Sequence, residues 1–184
     1  SKKLGNLGEI YINEAFSCSH RKQASIHKIT KFVKNSYAGP LLKQEVDAID
    51  SVIKNKKIPV TCIIGGSKVS TKIGIILHLI RNVNNIIIVG AMANNFLLYN
   101  NCEVGKSLKE DNTNNLIKKI YEEANICKRN IIVPIDCLVS ETFEGTSILK
   151  NINDIEKNDI ILDIGPKTIK IIEEVIDASK TVLW

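Results

Sequence analysis

Two lysines that follow a pair of glycines are the residues of this sequence best suited to bind an anion. Residues 58–72 read IPVTCIIGGSKVSTK, in which an apolar, β-branched run leads into Gly65 and Gly66, and Lys68 and Lys72 follow. The run predicts a strand buried on both faces, and the glycines end it. Turns between such a strand and a helix bind phosphates in α/β proteins, because unpaired backbone N–H groups point at the ligand.

The spacing of the two lysines supports this hypothesis. From Ser67 onward apolar residues recur with helical spacing, which predicts that a helix begins there and carries Lys68 and Lys72 on one face of its first turn. Two cations so placed repel each other and oppose the helix dipole, each effect costing about 0.3–1 kcal/mol, and a bound polyanion would reverse both. Ser70 and Thr71 would add hydroxyl donors. The alternative is that both lysines are solvated surface charges.

The glycine–lysine pattern is neither of the two common nucleotide motifs. It lacks the Gly-x4-Gly-Lys-Ser/Thr spacing of the P-loop and the Gly-x-Gly-x-x-Gly spacing of dinucleotide-binding proteins. Phosphate binding of another type is therefore favoured. The sequence Gly105-Lys106-Ser107 has P-loop residue types, but no strand and glycine loop precede it, so a simple loop is predicted there.

A second candidate anion site is the pair His20 and Arg21. The pair follows the predicted strand Glu9–Asn13 in a turn-rich segment. A guanidinium group binds carboxylate or phosphate through two parallel hydrogen bonds. Taken alone, a surface arginine beside a satisfied histidine is the more common arrangement.

Strands and helices alternate along the chain, which predicts an α/β fold with a doubly wound parallel sheet. A long helix opens at Gly39-Pro40 and could connect two domains, with one apolar face formed by Leu41, Leu42, Val46, Ile49, Val52 and Ile53. Further helices are predicted after Gly90, over Asp111–Cys127 and over Gly165–Ala178. The other predicted strands are Pro59–Ile64, Asn84–Val89, Asn130–Pro134, Ile135–Ser140, Ile160–Asp163 and Lys180–Trp184.

Composition excludes several other classes of protein. With 44% hydrophobic and 24% charged residues among 184, the chain is that of a globular protein with a core. The net charge of +5 comes from dispersed lysines with only 5% aromatic residues, so no nucleic-acid-binding patch is predicted. The five cysteines are far apart, and no apolar run reaches eighteen residues. Reduced thiols, a cytoplasmic location and no membrane partner are the expectations.

Several segments, in order, resemble the phosphoglycerate kinase family over nearly the whole chain. The segment IIGGSKVSTKIGII resembles the part of that family that binds the nucleotide phosphates. The others are YINEAFSCSHRKQASI, AGPLLKQEV, VGAMANNFL, VGKSL, VPIDCLV, and DIGPKTI followed by KTVLW. A set of such segments in one order is far more specific than any single one.

The resemblance implies two doubly wound α/β domains joined by a helix. Residues 1–38 would be the remainder of an N-terminal phosphoglycerate-binding domain, 39–56 an interdomain hinge helix, and 57–184 part of a C-terminal nucleotide-binding domain. Arg21 would bind the phosphate of 3-phosphoglycerate, with His20 beside it. The nucleotide-binding residues implied are Gly65, Gly66, Ser67, Lys68, Lys72, Gly90 and Ala91, the last two lining the adenine pocket.

The implied reaction is phosphoryl transfer from 1,3-bisphosphoglycerate to ADP, giving 3-phosphoglycerate and ATP, with Mg2+ accompanying the nucleotide. Lys68 and Lys72 would be the catalytic residues, since phosphoryl transfer needs positioning and positive charge around the oxygens in transit. Closure about the hinge helix would bring the two substrates together. Full-length relatives are expected to be monomers.

Departures from the family pattern predict that this chain is a fragment with little activity alone. It lacks the family's N-terminal Asp-x-Asn segment with its arginines, and its C-terminal Gly-Gly-Asp region that serves magnesium. Ile58, Gln23, Glu14 and Ala91 stand where arginine, histidine, aspartate and glycine are common. The alternative is a non-catalytic nucleotide- or protein-binding remnant, whose strand edge at Val182–Trp184 predicts self-association. An unrelated dinucleotide-binding protein is disfavoured by the missing glycine motif.

Overall fold

The structure is a computed structural model that describes residues 1–54 and 56–184 of the chain. Asn55, which belongs to the predicted hinge segment, lies outside the described residues. The same holds for the side chains of Val52 and Ile53, two positions of the predicted apolar helix face.

The described residues form two units, Ser1–Lys56 and Lys57–Trp184. The first unit begins with a single helical turn and contains a two-stranded parallel sheet followed by a long helix. Its elements are α1 (Lys2–Gly5), β1 (Ile10–Asn13), β2 (Asn35–Ala38) and α2 (Pro40–Lys54), with 3-10 turns at Phe16–Cys18 and Lys28–Lys31. The assignment of residues 1–38, 39–56 and 57–184 to domains and hinge stays a prediction.

Glu14 holds the start of α2. Its carboxylate oxygen Oε2 accepts a hydrogen bond from the Leu42 backbone N–H at 3.0 Å, which satisfies one of the donors that a helix start leaves unpaired. A Cβ at Gly39 would lie 2.2 Å from the Glu14 carboxyl carbon, so a side chain there would displace the Glu14 carboxylate from its present position. Glu14 therefore has a structural role in the first unit.

A four-stranded parallel sheet forms the centre of the second unit, in the order β5-β4-β3-β9. Its strands are short and rich in isoleucine and valine, as expected of strands covered on both faces. They are β3 (Val60–Ile64), β4 (Asn85–Ile88), β5 (Asn130–Ile132) and β9 (Thr181–Leu183), and the helices between them are α3 (Ile73–Ile80), α4 (Ala91–Tyr99), α5 (Asn114–Cys127) and α6 (Pro166–Asp177). The predicted α/β class with a parallel sheet is confirmed.

The core of this unit lies between the parallel sheet and the helices α3, α4 and α5. Its fully buried side chains come from both the strands and the helices, and α5 packs against α3 and α4. Tyr121 of α5 meets the edge of Phe96 with ring centroids 5.9 Å apart and stacks on Tyr99 at 5.6 Å. The core thereby fixes the helix starts that follow β3 and β4.

A second sheet in this unit is antiparallel, which the sequence did not predict. It has the order β7-β6-β8, with β6 at Asp136–Ser140, β7 at Ile148–Asn151 and β8 at Ile160–Ile164. The strand β7 was missed because its four residues ILKN are short and largely exposed, so they give no clear burial pattern.

The helix after the glycine pair begins at Ile73, so its predicted start at Ser67 is wrong. Residues 65–72 form a loop, and the first helical hydrogen bond in this region runs from the Ile76 N–H to the Lys72 carbonyl at 2.9 Å. The Thr71 hydroxyl donates to the Lys68 carbonyl at 3.1 Å, a local bond that competes with helix formation. Lys68 therefore lies in the loop, and Lys72 is the residue that caps the helix.

Candidate functional site

The loop 65–72 joins the carboxyl end of β3 to the start of α3, and one residue anchors it. The Val69 side chain is fully buried, while Ser67, Lys68 and Lys72 are exposed. Its Val69 carbonyl accepts the Lys72 N–H at 3.0 Å, which closes the turn before the helix. The loop is thus pinned at its middle and presents its polar residues to solvent.

Both lysines are available to a ligand. Neither the Lys68 nor the Lys72 ammonium group forms an ion pair with another residue in the described part of the chain. Lys72 stands at the N-terminus of α3, where the dipole of the helix adds positive potential. Two cations and a helix start on one loop form a region that favours an anion, although the lysines do not share a helical turn.

The two glycine turns that follow β3 and β4 contact each other. The Met92 N–H at the start of α4 donates to the Gly66 carbonyl at 2.7 Å, and a Cβ on Gly90 would lie 3.5 Å from the Gly66 nitrogen. Because β3 and β4 are parallel neighbours, their carboxyl ends meet at one edge of the sheet. The structure therefore brings Gly65, Gly66 and the lysine loop together with Gly90 and Ala91.

Gly90 adopts a backbone conformation that other residues avoid. Its φ is 66° and its ψ is −165°, a region that is essentially restricted to glycine and costs other residues about 1–3 kcal/mol. We expect Gly90→Ala to lower the free energy of unfolding by about 1–2 kcal/mol, measured by chemical denaturation. The contact distance of 3.5 Å is ordinary, so backbone strain is the main cause.

Gly74→Ala is the matched control for this substitution. Gly74 lies inside α3, and nothing approaches within 4 Å of where its Cβ would be. Alanine should raise stability there by about 0.5 kcal/mol, since it favours helix more than glycine does. Equal losses in both variants would contradict the assignment of strain to Gly90.

An apolar cavity of about 260 Å³ opens beside the Gly90 turn. Its walls come from α4, from the loop after α4 and from the antiparallel sheet. Its lining is mostly apolar and includes Gly90, Ala91, Leu97, Leu108, Phe143 and Leu162. The mostly apolar lining suits an apolar group of a ligand.

Two polar side chains, Asn94 and Asp163, also line this cavity, and no pattern in the sequence identified them as site residues. The Asn94 amide Nδ2 donates to the Leu108 carbonyl at 2.9 Å, which fixes one wall. Asp163 lies on β8, with its Oδ1 accepting the N–H of the next residue, Ile164, at 2.8 Å. Both depend on segments far apart in the sequence, so only the folded chain brings them to the cavity.

Glu110 is a third residue that the sequence did not suggest. Its carboxylate accepts hydrogen bonds from the Ser70 backbone N–H at 3.1 Å and from the Ser70 hydroxyl. These two bonds hold the pKa of Glu110 below its ordinary value. The Ser70 hydroxyl is therefore engaged within the chain, and the Thr71 hydroxyl with the Lys68 carbonyl, so the prediction that both donate to a ligand is not supported.

His20 and Arg21 lie in the first unit, apart in sequence and unit from the lysine loop. Both side chains are exposed and follow the 3-10 turn at Phe16–Cys18. The Arg21 backbone N–H donates to the Cys18 carbonyl at 3.0 Å, so the main chain is tied while the guanidinium group faces solvent. Their predicted role in binding a phosphate stays a prediction.

The cysteines show no sign of redox or metal chemistry in the described residues. Burial raises the pKa of the Cys62 thiol to about 11 and, with nearby Asp136, that of Cys137 to about 12. All five cysteines are free thiols. Across residues 1–54 and 56–184, no group of three His, Cys, Asp or Glu side chains is placed to hold a metal ion. No described helix combines the length and the apolar character needed to cross a membrane.

Comparison with known proteins gives one consistent family. The family model described as phosphoglycerate kinase matches residues 1–184. A curated phosphoglycerate kinase of Wolbachia pipientis subsp. Culex pipiens is 45% identical over all of this chain but is covered over only 46% of its own length. One of Francisella tularensis subsp. tularensis is 37% identical, with 47% of its length covered. The chain spans about half the length of the curated relatives it matches.

Solved structures agree with this. The structure of phosphoglycerate kinase from Coxiella burnetii superposes with a TM-score of 0.85 at 32% identity, over 100% of this chain and 48% of that one. Phosphoglycerate kinase from Pyrococcus horikoshii OT3 superposes with a TM-score of 0.78 at 21% identity, which shows a shared fold alone.

Proposed function

The chain belongs to the phosphoglycerate kinase family, and we propose that it supplies the nucleotide-binding part of such an enzyme together with part of the phosphoglycerate site. The reaction proposed is the transfer of a phosphoryl group from 1,3-bisphosphoglycerate to ADP, and its reverse from ATP to 3-phosphoglycerate. In the forward direction the bond between phosphorus and the carboxyl oxygen breaks, and a bond to the terminal oxygen of ADP forms.

The contact between the Gly66 turn and the Gly90 turn is the observation that carries this proposal. It sets a loop with two available lysines against an apolar cavity of about 260 Å³. A nucleotide needs such a pair of environments side by side, one for its phosphates and one for its base. We assign the phosphates to Gly65, Gly66, Ser67, Lys68 and Lys72, and the base to the cavity lined by Gly90 and Ala91.

Lys68 and Lys72 would act on the phosphates by their charge. The transferring group spreads negative charge over its equatorial oxygens, and fixed positive groups lower the free energy of that state. Lys72 at the start of α3 would act together with the N–H groups of the helix. We propose Lys68 and Lys72 as the catalytic residues of the chain.

Arg21 and His20 would hold the phosphate of the second substrate. The exposed Arg21 guanidinium group can form two parallel hydrogen bonds to it, and His20 stands next to it in the sequence. Helix α2 would then act as the hinge between the two parts of the site, and closure about it would bring the substrates together.

Magnesium is proposed as part of the substrate, entering as MgADP or MgATP. Among the described residues no group of three or more acidic, histidine or cysteine side chains is placed to hold a metal ion, and the Glu110 carboxylate is engaged by Ser70. We therefore assign no metal ligand in this chain. The five free thiols are consistent with the proposed cytoplasmic location.

Calorimetry with the purified chain tests this proposal. MgADP should bind at a single site, and adenosine should bind more weakly at the same site because it lacks the phosphates. An assay of ATP formation, with and without a second polypeptide covering the rest of the family's length, then tests turnover. The absence of MgADP binding to a cooperatively folded chain would reject the nucleotide site.

A binding module without turnover is the second candidate, since the lysine loop and the apolar cavity could bind a nucleotide whether or not phosphoryl transfer follows. It predicts MgADP binding and no ATP formation with any complementing polypeptide.

We also expect this chain to self-associate through β9, which pairs with β3 on one side only and has Val182 42% exposed. Light scattering should show a mass that rises with protein concentration, and a constant monomer mass would contradict this.

A further inference from the structure

We propose that Glu110 is a positioning residue that sets the place of Lys68 and Lys72 by holding Ser70 between them. The inference rests on the proposed nucleotide function, and deepens it by naming a residue forty positions away from the loop. Its basis is the pair of hydrogen bonds that the Glu110 carboxylate accepts from Ser70, one from the backbone N–H and one from the hydroxyl.

The bonds act on the part of the loop that packing leaves unfixed. Val69 is buried and anchored, whereas residues 70–72 are exposed and precede the first turn of α3. A bond from a backbone N–H and a bond from the same residue's hydroxyl to one carboxylate fix both the main chain and the side chain of Ser70. Lys72 follows two residues later, so fixing the main chain of Ser70 also restricts the position of the Lys72 main chain.

Glu110 is itself held by buried groups, which is what makes it a rigid support. Its backbone N–H donates to the Asn95 side-chain oxygen Oδ1 at 2.8 Å, and Asn95 is 1% exposed. The neighbouring Asn94 donates to the Leu108 carbonyl at 2.9 Å. Two successive side chains of α4 thus tie the segment 108–110, and the carboxylate at its end reaches the loop.

The segment also connects the two halves of the proposed nucleotide site. Leu108 lines the apolar cavity, and Glu110 holds the lysine loop. Because one short segment contacts both, the distance between the base cavity and the lysine loop is set by the chain itself. The affinity for a nucleotide with phosphates should depend on this distance, whereas the affinity for a nucleoside should not.

The test compares MgADP with adenosine in binding to variants of the full chain. Glu110→Gln should weaken MgADP binding about 3–10-fold, because the neutral amide keeps only one acceptor oxygen for the two Ser70 donors. Ser70→Ala should weaken it about 2–5-fold, because it loses the hydroxyl bond and keeps the backbone one. Adenosine affinity should change by less than about twofold in both. The double variant should resemble Glu110→Gln alone, because the hydroxyl bond that Ser70→Ala removes is one of the two bonds that Glu110→Gln already weakens.

Glu103→Gln is the matched control. Its Oε1 also accepts two backbone N–H groups, from Val104 and Gly105, each at 3.0 Å, but these belong to a different loop. The control should leave both affinities unchanged. Thermal unfolding of every variant, measured alongside, checks that each one is folded.

Three results would overturn the positioning role. Equal losses for MgADP and adenosine would indicate a general structural role instead. Tighter MgADP binding by Glu110→Gln with no effect of Ser70→Ala would mean that the carboxylate acts only by repelling phosphate. Unchanged binding in both variants would mean that the bonds do not matter. A parent chain that binds neither ligand would reject the proposed nucleotide site first, and this inference with it.

Discussion

The Lys68→Ala/Lys72→Ala chain is expected to bind MgADP at least about 100-fold more weakly than the parent chain. Hydrogen bonds to charged groups contribute roughly 1.5–3 kcal/mol each, and 1.4 kcal/mol is a factor of ten in affinity. We take the lower end of that range, because both lysines are exposed and their charges are partly screened. Calorimetry of the two chains measures the ratio of their dissociation constants for MgADP directly.

Lys118→Ala/Lys119→Ala is the control for this loss. It removes the same number of positive charges from the exposed face of α5, where the one ion pair of Lys118 within the described part of the chain is with Glu122 at 3.8 Å. MgADP binding should stay within about twofold of the parent, since exposed pairs of this kind contribute little. If both double variants lost affinity equally, net charge would explain the effect, and the lysine loop would not be the phosphate site.

Salt dependence offers a second check on the same variants. Affinity that depends on two lysines and phosphates should fall as ionic strength rises, because salt screens exposed charges over about 10 Å at 0.1 M. The slope of that fall should be smaller in Lys68→Ala/Lys72→Ala than in the parent. Adenosine binding should show almost no salt dependence in either chain.

The sequence predicted the strands of the parallel sheet well because each is a short apolar run between breakers. The run before Gly65 became β3, and the run before Gly90 became β4, each within one residue of its prediction. A strand buried on both faces must be apolar at successive positions, so such a strand can be identified from the sequence alone. The two glycine turns could be predicted for a related reason, since the glycines mark the positions where the apolar runs, and therefore the strands, end.

The start of α3 could not be predicted because it depends on a contact that is distant in the sequence. The spacing from Ser67 onward fits a helix, but Ser70 bonds to Glu110 instead of joining a helical turn. No local pattern identifies Glu110 as the partner of a loop forty residues earlier. The positions of Asn94 and Asp163 at the cavity could not be predicted either, because they too depend on contacts between segments distant in the sequence.

Asp136→Ala should be among the most destabilising single substitutions in the second unit, by roughly 3 kcal/mol, because three donors would lose a buried charged acceptor. Asp136 is 1% exposed on β6. Its carboxylate accepts the Lys167 N–H at 2.9 Å, the Thr168 N–H at 2.8 Å and the Thr168 hydroxyl at 2.6 Å. It thus caps α6 from a neighbouring strand, in the place of a local cap.

Gly165 shows how close this contact is. A Cβ there would lie 2.4 Å from the Asp136 carboxyl carbon, so the helix start approaches the strand only because residue 165 is glycine. Denaturant unfolding measures the loss, and Asp163→Asn on β8 is the matched control. Among the described residues, the exposed Asp163 carboxylate accepts a hydrogen bond only from its neighbour Ile164. Asp163→Asn should therefore lower the free energy of unfolding by no more than about 0.5 kcal/mol.

The effect of Asp136 should also depend on pH, in a direction that its environment sets. Burial alone would raise the pKa of this carboxyl group, but the hydrogen bonds from Thr168 and Lys167 outweigh it and hold the pKa below its ordinary value. In the acid range the unfolded chain therefore binds the proton more readily than the folded chain, so stability falls as pH falls. The stabilisation is complete above the unfolded pKa of about 3.9 and is lost as pH drops through the folded value.

Asp136→Asn isolates this contribution because asparagine does not titrate. The difference in unfolding free energy between parent and Asp136→Asn should be constant near neutral pH and should shrink as pH falls below about 4. Other carboxylates titrate equally in both chains and cancel from the difference. A difference that stayed constant down to the acid transition would show that the charge of Asp136 is not what holds α6 to β6, and that the shape of the side chain suffices.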